Sequence, residues 1–126
     1  MRVVAGLEAR VELTVSDADT ALAWGSGDVP VLATPRVVAL VEEATVAAVA
    51  PALDDGETTV GTRVELDHLA ATPVGRTVVA EARLVTVRGR RLRFAVEVSE
   101  GGDVVARGTV TRAVVNRDRF LGSLTE

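Results

Sequence analysis

Residues 32–49 read LATPRVVALVEEATVAAV, and the reading of this stretch decides the fold. It is the only long segment with helical rather than alternating periodicity. Val37, Val38, Leu40, Val41, Ala44, Thr45, Ala48 and Val49 cover most of a helical surface, which describes a helix buried on nearly every side. Thr34 followed by Pro35 predicts an N-cap with proline at the first helical position, where the missing N–H costs nothing and φ is already set. Glu42 and Glu43 interrupt the apolar surface in mid-helix. Spacing puts Glu42 on the side of Val38, Thr45 and Val49, and Glu43 near Ala39 and Val46, so periodicity leaves open which acid is drawn out of water. Such a carboxylate has the chemistry of a base or a nucleophile.

On either side of this helix the pattern is that of strands. Leu7, Ala9, Val11, Leu13 and Val15 alternate with polar residues, and Ser16-Asp17-Ala18-Asp19 predicts a capped helical turn reaching Trp24 before Gly25-Ser26-Gly27-Asp28 breaks it. Pro51 and Asp54-Asp55-Gly56 close the long helix. From Thr58 onward alternation returns. Val60, Thr62, Val64, Leu66 and His68 are expected on one face of a strand, with Gly61, Arg63, Glu65, Asp67 and Leu69 on the other. Three further strands follow, over 77–87, 91–99 and 104–115, joined by turns at Arg88-Gly89-Arg90 and Glu100-Gly101-Gly102-Asp103. The last carries Ala106, Gly108, Val110, Arg112 and Val114 on one side. Strand, helix and four strands in a meander predict an α+β fold, one long helix lying across an antiparallel sheet, with dimerisation expected through the long sheet edges or the helix-bearing faces.

The chain has 126 residues, 48% of them apolar, which suits a single domain over residues 1–126 with a real core. The start lacks the apolar run of a signal peptide, and no segment reads as a membrane span, so a cytoplasmic protein is expected. There is no cysteine and only one histidine, which excludes thiolate chemistry and cysteine metal sites and argues against any metal centre. A net charge of −4 and three aromatic residues, Trp24, Phe94 and Phe120, argue against nucleic-acid binding. All 14 basic residues are arginine, a bias of composition that lowers the information in any arginine cluster.

Several residues remain as candidates for chemistry. His68 ends a strand and enters the loop Leu69-Ala70-Ala71-Thr72-Pro73, a common place for a reactive group, although a lone histidine is more often structural. The Thr34 hydroxyl, with the amides and dipole of the helix start, suits a carbonyl oxygen or an anion. Gly61 within a strand marks a bulge, and an inward Arg112 answers a buried carboxylate. No phosphate loop, nucleophile elbow or His-Glu-x-x-His is present.

The order and spacing of Ala33-Thr34 with 38–44, Val60-Gly61-Thr62, His68-Leu69-Ala70-Ala71-Thr72-Pro73, Gly89-Arg90-Arg91-Leu92 and Arg112-Ala113-Val114 resemble the hotdog-fold thioesterases, within them the fluoroacetyl-CoA thioesterase-like group. The resemblance runs from Val31 to Phe120. It implies a hotdog fold, a long central helix wrapped by a five-stranded antiparallel sheet, and a homodimer with active sites at the subunit interface. It also implies Thr34, Glu42 and His68 as the catalytic set, Gly61 and Arg112 as substrate contacts, and no cofactor beyond the CoA of the substrate. Glu42 is thereby chosen over Glu43. Fluoroacetyl-specific members carry a phenylalanine-rich lid before the helix, whereas residues 25–33 contain no phenylalanine. The expected function is hydrolysis of a small acyl-CoA thioester without specificity for fluoroacetyl-CoA. The alternative is a non-catalytic module holding an acyl-CoA or a small hydrophobic ligand. Because the protein is acidic, local arginines must hold the CoA phosphates, with Arg76, Arg88, Arg90 and Arg91 as candidates.

Overall fold

The computed structural model describes residues 2–125. Strand β1 (Glu8–Thr14) leads through a 3-10 turn (Asp17–Asp19) and the short helix α1 (Ala21–Trp24) into the long helix α2 (Thr34–Val49). Four strands follow, β2 (Glu57–His68), β3 (Thr77–Arg88), β4 (Arg91–Glu100) and β5 (Asp103–Asn116), and then a terminal helix α3 (Arg117–Gly122). All strand pairings are antiparallel, and the sheet order is β1-β3-β4-β5-β2. This is the five-stranded hotdog arrangement, with α2 packed mainly on β1 and β3.

The expected four-strand meander is corrected by this order. Only β3, β4 and β5 run as a meander, through turns at residues 89–90 and 101–102 whose glycines all take positive φ. The segment between β2 and β3 is instead tied down elsewhere, with the Thr72 carbonyl accepting from Leu32 N–H and Gly75 N–H donating to Val15. That loop carries the chain across the sheet, so β2 pairs with β5 at the far edge.

The core lies between α2 and the inner face of the sheet. Val37, Leu40, Val41 and Val49 meet Leu84, Leu92, Phe94, Val98 and Val110, all fully buried and each worth about 1.5–3 kcal/mol of transfer free energy. Alternation on β4 is strict, with Leu92, Phe94, Val96 and Val98 inward. The helix itself is not buried all round. Thr34, Pro35, Glu43, Val46, Ala47 and Ala50 are exposed and Val38, Ala39 and Glu42 half-buried, forming a stripe at helical spacing that one sheet does not cover. Val46, 44% exposed in mid-helix, shows that the all-round apolar pattern exceeds what a single chain can bury.

Strand β2 also departs from simple alternation. Its register with β5 shifts between Gly61 and Arg63, so Thr62 is the extra residue of a bulge. The shift reverses the phase. Gly61 pairs with the inward Arg112, whereas Val64, Leu66 and His68 pair with Val110, Gly108 and Ala106. The expected grouping of Gly61 with Arg63, Glu65 and Asp67 is therefore wrong, because unbroken alternation ignored the bulge. Helix α3 was also not anticipated. Asn116 caps it, its side-chain oxygen accepting from Arg119 N–H, and that is an ordinary local signal.

Candidate active site

The helix start is built differently from the sequence expectation. Ala33 occupies the N-cap and Thr34 the first helical position, so the threonine hydroxyl is not used as a cap. It lies 2.8 Å from His68 Nδ1 instead. The entry to the helix is fixed from outside: Asp19 accepts from Ser16 N–H, Ser16 Oγ and Arg36 Nε, each at 2.9 Å, and the Asp19 carbonyl accepts from Ala33 N–H. Burial works to raise the Asp19 pKa, but the Ser16 hydrogen bonds and the Arg36 guanidinium outweigh it and hold the carboxyl below its usual value. One ion pair thus pins the turn before α1 to the first turn of α2.

His68 closes β2. Burial pushes its imidazole below the ordinary 6.5, with the Ala70 backbone pulling weakly the other way. Neutral imidazole is the form suited to taking a proton. The other ring nitrogen, Nε2, is buried without a hydrogen-bond partner, as is the hydroxyl of Thr72 four residues on. Beside this pair lies an open groove of about 300 Å³. Apart from Thr34, His68 and Ser26, its walls are small or aliphatic, including Ala21, Val29, Val31 and Leu69.

A second cluster forms two turns along the helix. Glu42 Oε2 accepts from Arg112 Nη1 at 3.0 Å, while Arg112 donates from Nε to Thr59 Oγ1 at 2.9 Å and from Nη2 to the Thr59 carbonyl at 3.2 Å. The Arg112 side chain is 7% exposed and that of Glu42 35%, so the arginine is a buried support and the acid is the more open of the two. Gly61 lies opposite Arg112 and against Glu42. Glu43 is exposed and joins neither cluster.

Structure therefore divides the five candidate residues into two groups, Thr34 with His68 and Glu42 with Gly61 and Arg112. Eight residues of helix separate Thr34 from Glu42, about 12 Å of rise. Sequence reading missed Thr59, which anchors two of the three guanidinium nitrogens. Its inward orientation depends on the Thr62 bulge. Asp19 was read only as part of a helical turn, and its pairing with Arg36 has no signal in local spacing. Of the four arginines considered for phosphates, Arg76 pairs with Glu100 at 3.0 Å and Arg90 with Glu57 at 3.5 Å, while Arg88 and Arg91 point away from the helix on the outer face of the sheet. No helix among the described residues is long and apolar enough to cross a membrane.

The sequence profile of a family described as fluoroacetyl-CoA-specific thioesterase matches residues 15–118. A fluoroacetyl-CoA thioesterase from Streptantibioticus cattleyicolor is 44% identical over 90 residues, 71% of this chain and 65% of that protein. The match thus takes in slightly less than two-thirds of that relative's length. A variant of a fluoroacetyl-CoA-specific thioesterase, crystallised with fluoroacetate and CoA, superposes with a TM-score of 0.86 at 35% identity, covering 94% of this chain and 99% of that one. A thioesterase superfamily member from Thermus thermophilus gives a TM-score of 0.90 at 28% identity, covering 98% and 93%.

Proposed function

The chain belongs to the fluoroacetyl-CoA-specific thioesterase family, and from that premise we propose that it hydrolyses small acyl-CoA thioesters at a site completed by a second copy. The observation that carries this reading is the Thr34–His68 hydrogen bond beside an apolar groove, with a carboxylate held on Arg112 along the same helix. In the reaction the Thr34 hydroxyl and the amides of the helix start polarise the thioester carbonyl. Either Glu42 takes a proton from a water that attacks the carbonyl carbon, or Glu42 attacks it directly, expels the CoA thiolate and forms an acyl anhydride that a water then hydrolyses to the free acid; in both routes the proton comes from that water and reaches the CoA thiolate through His68. Gly61 keeps space at the carboxylate, and Arg112 fixes its direction.

Within one chain Glu42 is too far from the Thr34–His68 pair to share a proton with it. The two clusters run in opposite directions along their elements: Thr34 precedes Glu42 on α2, whereas His68 follows Gly61 on β2. The outer edge of β2 has no strand partner among the described residues. A second copy paired antiparallel along that edge, about an axis midway between Gly61 and His68, sets Glu42 opposite the partner's His68. It also covers the exposed stripe of α2. A homodimer with two composite sites accounts for both features.

The substrates we assign are short acyl-CoA thioesters, taken without specificity for fluoroacetyl. Residues 25–33 supply no phenylalanine, and the groove is walled by small aliphatic side chains. Free-thiol release measured across a panel of acyl-CoA substrates, with wild type and Glu42→Gln side by side, tests the reading. Turnover that collapses in the variant supports it. Tight CoA binding without turnover by wild type would replace it with a non-catalytic acyl-CoA module.

A further inference from the structure

Among the described residues, His68 Nε2 and Thr72 Oγ1 are the buried side-chain nitrogen and oxygen atoms that lack a hydrogen-bond partner, and both fall within residues 68–72. Thr72 is completely buried. A hydroxyl buried without a partner costs free energy that a valine of the same shape would not, so this one serves something within the protein.

The backbone brings the two side chains to one place. After His68 the chain turns back at once, the amides of Leu69 and Ala70 both donating to the Val105 carbonyl. The Thr72 carbonyl then accepts from Leu32 N–H at 2.8 Å, while His68 Nδ1 lies 2.8 Å from the Thr34 hydroxyl. Both residues are therefore anchored on the same stretch, residues 32–34, which is extended at Ala33. Their anchor points stand two residues apart, about 7 Å of extended chain. That span suits a bridge through one water rather than a direct hydrogen bond. Thr72 does not line the groove onto which Thr34 and His68 open. The imidazole thus has two sides, Nδ1 toward Thr34 and the groove, and Nε2 toward the covered loop.

We propose that Thr72 is a positioning residue for His68: its hydroxyl and the imidazole Nε2–H both donate to one buried water, which holds the ring in the Nε2–H tautomer and leaves the Nδ1 lone pair facing Thr34. The consequence for turnover rests on the thioesterase reading. In the resting site the Thr34 hydroxyl donates to Nδ1. When Nδ1 takes up the proton that the attacking water gives up, Nδ1–H donates to Thr34 Oγ1 instead. The hydroxyl is then free to donate to the oxygen of the carbonyl under attack, as negative charge builds there. The Nδ1 proton goes on to the CoA thiolate. The opposite tautomer has no lone pair on the groove side and cannot take that proton. Apart from His68 no titratable side chain lines the groove, and Asp67 stands on the opposite face of β2, across from Arg107. In the proposed dimer the second copy brings Glu42 to the ring.

His68 is the only histidine in the chain, so isotope-labelled histidine reports on this ring alone in tag-free protein. Long-range proton–nitrogen correlation spectra, taken where the ring is neutral, should show Nε2 protonated and Nδ1 bare. A neutral ring protonated at Nδ1 overturns the proposal without any variant. Thr72→Val keeps the shape and removes the hydroxyl. In it the imidazolium loses support, so the ring should titrate at lower pH than in wild type and the neutral form should divide between both tautomers. Its kcat should fall roughly tenfold or more, with KM nearly unchanged, as the loss of a hydrogen bond serving a charged group requires. Thr72→Ser should restore all three. A residue that only fills space would move Tm alone, so a titration and tautomer equal to wild type in Thr72→Val overturn the proposal. The spectra do not depend on turnover. The expected changes in a protein that releases no thiol support the water bridge and overturn the thioesterase reading, whereas thiol release with unmoved spectra does the reverse.

Discussion

Glu42 fills the space that Gly61 leaves by having no side chain. A β-carbon at Gly61 would collide with Glu42 Oε2 and stand 3.3 Å from Arg112 Nη1. The guanidinium is buried and held at two further points by Thr59, so it cannot yield, and the carboxylate must. Gly61→Ala is therefore expected to lower kcat by about 10²-fold, the effect of a reacting group misplaced by an ångström. Stopped-flow or steady-state thiol release alongside a thermal melt checks it. An unchanged kcat would mean that the position of Glu42 does not matter to turnover.

The same cluster separates two substitutions of the acid. Glu42→Gln leaves an amide oxygen to accept from Arg112 and should cost no more than about 1.5 kcal/mol of stability. Glu42→Ala leaves a buried guanidinium without its charge partner and should cost about 3 kcal/mol. Urea unfolding of the two variants measures the difference. Equal costs would show that water replaces the carboxylate freely.

The lowered pKa of His68 sets a sign for pH dependence. Its folded-state value lies below the ordinary 6.5, so the folded protein binds fewer protons than the unfolded chain between the two values. Stability from this residue is complete above pH 6.5 and declines as pH falls through the lowered value. Turnover that needs neutral imidazole should follow, with an acid limb in kcat/KM below pH 6.5 that disappears in whatever residual rate His68→Gln retains. An acid limb centred above 6.5 would contradict the desolvation of the ring.

Much of this was legible in the sequence. Alternation located the five strands, and the helical period of residues 32–49 located α2, because both patterns record which side chains leave water. The pairing of β2 was not legible, since register and sheet order are set by contacts between residues far apart in the chain. Gly61 suggested a bulge but not its consequence, the reversed phase that turns Thr59 and Gly61 toward the helix. Thr34 read as a cap because threonine followed by proline is the sequence context of a cap; only the return of β2 to the helix start shows where the hydroxyl goes. The over-long apolar surface of α2 looked like core, and Val46 shows that part of it stays exposed in a single chain.

That surface leads to the most discriminating experiment. If each active site takes Thr34 and His68 from one copy and Glu42 from the other, Glu42→Gln and His68→Ala lie in different halves of the same site. Each pure variant then has two damaged sites per dimer. A heterodimer of the two has one site damaged twice and one with neither substitution. Co-refolding equal amounts makes about half of the dimers mixed, so the mixture should regain about a quarter of wild-type activity. A site confined to one chain predicts the opposite, because every chain in the mixture still carries a substitution in its own site and nothing is regained. The 12 Å or so of helix between Thr34 and Glu42 is the physical reason to expect recovery. Recovery that also needs an intact β2 edge, and is lost when Val64→Pro blocks strand pairing in variants whose monomers still fold by circular dichroism, would place the second copy along β2.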